Sequence, residues 1–171
     1  MSERLGPLEL VGGRWIIGDH ERSDGEFLVL GPEGLEHRTG AGRPPRPVPW
    51  SRFMELDVTL AAHRLSDSDV FTGVAQLAPA VVRIGAHGSC LEGTLRCPYE
   101  YWTAPFSRHG RRYGWSEVLL AGELLRQTVE VGAVRRLGDA MWLRSAVARL
   151  TGLRPRTLNS ARSAVARVLE T

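Results

Sequence analysis

The sequence predicts an α+β protein: an antiparallel sheet or barrel formed first, a helix covering it, and two further helices after that. Three observations lead there. Met54 to Leu60 alternates apolar and polar residues at period two, which gives a strand with one buried and one wet face. Short apolar runs between residues 8 and 104 are separated by Gly- and Pro-rich turn signals. From Trp115 the period changes, and Val118, Ala121, Leu125 and Val129 recur at helical spacing with Leu124 beside them. Strands first and helices after is the order of an α+β fold.

The elements follow in chain order. Arg14 to Gly18 reads as a strand and Glu26 to Leu30 as its return, with Asp24-Gly25 a dipeptide favoured in two-residue hairpins because both central residues must accept positive φ. Gly31 to Gly34 turns the chain into Leu35 to Arg38. Pro44, Pro45 and Pro47 make a loop of residues 40–49, since proline donates no backbone hydrogen bond. Further strands are expected at Val81 to Ala86, Leu91 to Leu95 and Tyr99 to Thr103. Ser116 is the expected cap of the first helix, with Trp115 stapled onto Leu120. That helix stops at Gly132, or runs on to Leu137 and ends at Gly138. Asp139 caps a second helix from Ala140 to about Leu150, closed by Gly152. Pro155 suits the first turn of a third, running from about Arg156 to Leu169. Its apolar residues are Leu158, Ala161, Val165 and Val168 or Leu169, which leaves Arg156, Arg162 and Arg167 wet.

Composition sets limits on function. With 171 residues, 43% of them hydrophobic, and a net charge of +3, the chain suits one compact domain with a small appendage and is too apolar for disorder. All 22 basic side chains are arginine and Ile occurs only at Ile16, Ile17 and Ile84, a bias that marks a high-GC bacterial genome. Without lysine there is no Walker-A loop, no pyridoxal-phosphate Schiff base and no kinase strand lysine. Residues 1–7 have no apolar core behind the basic residue, so no secretory signal is expected. The longest uncharged run, between Asp69 and Arg83, contains Gly73 and Pro79 and is too short for a membrane span. A cytoplasmic protein with reduced thiols follows.

Gly31-Pro32-Glu33-Gly34-Leu35, then Val48-Pro49-Trp50-Ser51-Arg52-Phe53, then the strand from Met54 to Leu60, resemble bacterial PH-like domains. The resemblance implies a PH-like barrel of bent strands capped by the helix that begins near Ser116, and a binding or scaffolding module rather than a catalyst. It places a PH-like β domain with its capping helix at residues 1–131 and a helical C-terminal appendage at 132–171. It names no ligand.

A second, more local resemblance covers Ala148 to Leu158, which is similar to the helix-turn-helix of LuxR-type regulators. A small Ala four residues before the turn Gly152 lets two helices approach, and Leu153 and Leu158 fill the wedge between them. The resemblance implies that Arg156, Asn159, Ser160 and Arg162 face DNA. Thr151 departs from the pattern, which has an apolar residue just before the turn glycine.

Several residue groups carry chemistry. His87, Cys90, Cys97 and His109 are zinc-ligand types, but only His87 and Cys90 have the short gap of paired ligands. The two cysteines read equally as small buried residues on neighbouring strands, reduced and metal-free. His63, Ser66, Asp67, Ser68 and Asp69 crowd a polar loop that serves either a hydrolase or a set of turns. Gly114-Trp115-Ser116-Glu117-Val118 lacks the second glycine of a nucleophile elbow. Gly40-Ala41-Gly42 begins like a dinucleotide fingerprint but runs into Arg43-Pro44-Pro45. Arg108, His109, Arg111 and Arg112, interleaved with Phe106, Tyr113 and Trp115, form the densest basic-aromatic cluster. It is either an anion site or a connection whose aromatics plug the core.

The sequence therefore predicts a non-enzymatic interaction module without cofactor or metal. Its expected partner is a protein or an anion, met through Arg108, Arg111, Arg112, Arg154, Arg156 and Arg162. The alternative is a DNA-binding transcriptional regulator that uses the last two helices as a helix-turn-helix.

Overall fold

The computed structural model describes residues 3–39, 47–61, 82–85 and 88–170, and in it the strands precede the helices as the period change requires. The first sheet is an antiparallel meander in chain order: β1 (Arg4–Leu5), β2 (Leu8–Val11), β3 (Arg14–Ile17), β4 (Glu26–Leu30), β5 (Gly34–Thr39) and β6 (Val48–Pro49). β1 and β2 were not among the expected strands. Gly6, at φ +58°, supplies the left-handed residue that their tight turn needs. Asp24-Gly25 is not a two-residue hairpin, because residues 18–25 all lie between β3 and β4. That loop leaves its own sheet, and Asp19 donates to the Ser107 carbonyl at 2.8 Å. The expected proline loop is shorter than drawn, since Val48 and Pro49 pair with Leu35 and Gly34. Pro49 lies in an edge strand, where its missing donor breaks no ladder. Residues 40–46 lie outside the described residues.

The second sheet holds β7 (Phe53–Ala61), β8 (Val82–Gly85), β9 (Ser89–Leu95) and β10 (Glu100–Phe106), in the order β10-β9-β7-β8. β8 runs parallel to β7, so the expectation of a purely antiparallel sheet is corrected there. β10 begins and ends later than expected. A register shift between Phe53 and Glu55 leaves Met54 exposed, after which Leu56, Val58 and Leu60 turn inward as the alternation predicts. The two sheets remain separate ladders among the described residues. They meet at Ser107, whose N–H donates to the Glu26 carbonyl at 2.6 Å and whose Oγ accepts from the Glu26 N–H at 2.9 Å.

The helices are α1 (Trp115–Glu130), α2 (Ala140–Leu150) and α3 (Leu158–Leu169), with a 3-10 turn at Val134–Gly138. Gly114, not Ser116, is the cap of α1, so Trp115 is a helical residue rather than a staple. α1 stops by way of Gly132 at φ +73°, with Ala133 N–H on the Thr128 carbonyl and Gly132 N–H on Val129, the Schellman pattern. Asp139 caps α2 as expected, accepting from the N–H groups of Met141 and Trp142. α3 begins three residues beyond Pro155, because Thr157 and Ser160 form a reciprocal capping box that fixes the start at Leu158.

α1 is central. Val118 through Leu125 are all buried, so it needs apolar cover on every side. β7 lies against one side and α3 against another. Leu8, Trp15, Trp50, Leu56 and Val58 join one hydrophobic cluster with Leu143, Val147, Ala161 and Val165. Trp15 Nε1 donates to the Ala140 carbonyl at 3.1 Å, and Trp50 Nε1 to Gly31 at 2.8 Å. The expected boundary between 131 and 132 thus falls inside a shared core. Val29 is buried beside its pairing partner Ile16, on the opposite face of the sheet from Leu28 and Leu30. Among the described residues no helix is long and apolar enough to cross a membrane.

Candidate functional site

The basic-aromatic cluster folds against the first strands. Phe106 and Tyr113 are buried in the core. Tyr113 OH lies 2.7 Å from His109 Nδ1 and accepts from the His109 backbone N–H at 3.2 Å. Burial, then the Arg111 charge, hold the His109 imidazole below its ordinary value, which favours the neutral ring beside the phenol proton of Tyr113. Burial pushes the Tyr113 phenol up, which keeps that proton in place. Glu9 faces both His109 Nε2 at 3.1 Å and the Arg111 guanidinium at 3.3 Å. Arg111 also donates to the Gly6 carbonyl at 3.0 Å and lies over the Tyr113 ring.

A cleft of about 290 Å³ opens here, lined by Arg4 and Arg111 and by Glu9, Asp19 and Glu21, with His20 and His109. Three carboxylates against two guanidiniums make it a poor anion site. Arg111, in the segment that is most basic in sequence, is paired with Glu9 of β2, and Asp19 and Glu21 of the 18–25 loop line the same cleft. Arg108 and Arg112 each have a partner as well.

Arg162 departs from the expectation that it is wet. Its Nε lies 3.2 Å from Glu123, a fully buried carboxylate on α1 that also holds Arg126 and Gln127. The Gln127 amide donates to the Arg162 carbonyl, so α1 grips both ends of that residue. Of the positions that the helix-turn-helix resemblance turns toward DNA, Arg156, Asn159 and Ser160 are exposed. The connection between α2 and α3 spans residues 151–157.

Among the described residues, Arg154 and Arg156 are exposed and hold no carboxylate. Arg135, Arg136 and Arg149, which the sequence did not single out, share that condition. Residues 132–171 contain eight arginines and only Asp139 and Glu170 as acids, a formal +6, so the rest of the chain carries −3. Counting charge by segment would have found this surface, where searching for dense local clusters found Arg108 to Arg112.

Among the described residues, Cys90, Cys97 and His109 do not converge on one site. Cys90 lies on β9 and Cys97 in the turn after it, exposed, so they are not a buried pair on neighbouring strands. Burial, then the hydrogen bond to Glu92, push the Cys90 thiol up, which disfavours a reactive thiolate. Among the described residues no group of three or more His, Cys, Asp or Glu is placed to hold a metal. His87, the loop from His63 to Asp69 and Gly40-Ala41-Gly42 lie outside the described residues. No family model, curated protein or solved structure matches the chain.

Proposed function

We propose that this is a non-enzymatic, PH-like interaction module of the reducing bacterial cytoplasm, which binds an anionic partner through the arginines of its helical part. Charge segregation carries the reading: +6 over residues 132–171, with five exposed arginines there lacking a carboxylate partner among the described residues. Guanidiniums without a carboxylate, three of them steadied by backbone carbonyls, keep donors for contact with phosphate, sulfate or carboxylate. The PH-like part of the reading is supported by two sheets that meet at Ser107 and by α1 lying against β7. The non-enzymatic part is supported by His109, Tyr113, Glu9 and Arg111, which are engaged with one another and tie the first strands to the segment before α1.

Calorimetric titration with a heparin-derived oligosaccharide tests it. Binding should weaken with added salt, and Arg154→Ala/Arg156→Ala should weaken it further without lowering the melting temperature. No heat at low salt would refute the anionic partner.

A further inference from the structure

We infer that the face made by the 3-10 turn, α2 and α3 binds the phosphodiester backbone of duplex nucleic acid without reading its bases, an assignment that rests on the anion-module reading. Arginines stand at both ends of α3. Arg136 reaches the Leu169 carbonyl at 3.2 Å and Arg149 reaches Arg167 at 3.3 Å, which places both at the end of the helix. Arg154 and Arg156 lie in the connection just before its start. At 1.5 Å of rise per residue those groups are roughly 15 Å apart. A duplex carries about one charge per 1.7 Å of axis, so one helix length of this surface faces several phosphates.

What lies between the arginines favours a phosphate backbone over other anions. The exposed positions of α3 include Asn159 and Ser163, short polar side chains of the kind that hydrogen-bond phosphate oxygens. Glu170 lies beyond its last turn, Glu130 shares a groove with Ser163 but is held by Arg126, and Asp139 is occupied as the α2 cap. A membrane-surface helix needs large apolar side chains on its outer face, and α3 turns Leu158, Val165 and Val168 inward instead. Base reading is disfavoured because Arg162, the long donor in mid-helix, is held by Glu123. The net −3 of the remaining residues repels a polyanion and orients it toward the helices.

The test uses the full chain and a labelled duplex of randomised sequence, with fluorescence anisotropy followed across salt. Affinity should fall log-linearly, with a slope of about −0.9 per phosphate contacted. Arg149→Ala should make the slope shallower by about 0.9 and Arg154→Ala/Arg156→Ala by about 1.8, with unchanged melting temperature. An unchanged slope in both variants overturns the inference, as does strong preference for one duplex sequence. Phosphatidylserine vesicles and a polyglutamate peptide run in parallel, and tighter binding of either than of duplex at equal salt also overturns it. Heparin binding without duplex binding sinks this inference alone. Binding of neither sinks the anion-module reading with it.

Discussion

Glu123 carries a carboxylate into the interior at 0% exposure, on a helix whose period assigns it no role, and Arg162 covers it at 41% exposure. Removing Arg162 leaves that charge with Arg126 and Gln127 only. Arg162→Ala should therefore cost about 1–3 kcal/mol in denaturant unfolding, through the under-satisfied carboxylate rather than a lost surface charge. Glu123→Met with Arg162→Met should recover much of it, since an apolar pair removes the desolvation cost. A single Arg162→Ala within experimental error of wild type would show that the pair is unimportant. His109 gives a pH dependence. Burial and then Arg111 lower its value, against the pull of Glu9 and Asp19, so the folded chain holds fewer protons there than the unfolded one. The stability linked to neutral His109 is present above the ordinary value of 6.5 and is lost as pH falls through the lowered folded value. Urea midpoints between pH 7.5 and 5 should drop for the wild type and drop less for His109→Gln. The basic and aromatic members of these clusters were legible beforehand, and their acidic partners were not. Glu9 and Glu123 are ordinary acids in sequence, and only long-range packing makes them partners of His109, Arg111 and Arg162.

Strong periodicity made the long elements legible. β7 appeared through its alternation, and α1 to α3 through helical spacing and the Asp139 cap. Leu56 is completely buried on β7, and Leu56→Ala should lower stability by about 2–5 kcal/mol by opening a cavity. The short elements escaped, because two residues of β1 and four of β2 carry no period to read. Start signals also competed: Ser116 and Pro155 are both suitable residues, yet Gly114 and the Thr157–Ser160 box set the boundaries. Gly138 acts for a different reason from the helix stop expected of it. A Cβ there would press on the Gly31 carbonyl and come within 2.6 Å of Trp50 Nε1. Gly138→Ala should cost about 1–3 kcal/mol by forcing the 3-10 turn off Trp50 and the turn between β4 and β5, and the near-ultraviolet signal of Trp50 should change with it. An alanine variant with wild-type stability and spectrum would show that the turn gives way freely.

At the scale of the whole molecule, the sequence order suggested a β domain with helices appended, and the packing makes α1 the middle layer instead. A chain ending at residue 131 takes Val134, Leu143, Val147, Ala161 and Val165 out of the shared core and removes the 3-10 turn and α3 from the side of α1. Such a fragment should lose cooperative thermal unfolding, and calorimetry should show a broad transition or none. A sharp transition would establish residues 1–131 as an independent unit. The charge asymmetry belongs to this scale as well. It was countable in the sequence, but its meaning depended on which arginines the fold neutralises. Arg111 and Arg162 are neutralised, while Arg135, Arg149, Arg154 and Arg156 are not.

The central place of α1 also bears on how the protein is made. Translation delivers the strands first and the cover of α1 last, at roughly 5–20 residues per second. For the seconds it takes to add residues 131–169, a nascent chain holds α1 with one apolar side bare. Packing of α1 must therefore wait for residues 134–169, and in that interval its bare side is the most aggregation-exposed surface of the nascent chain.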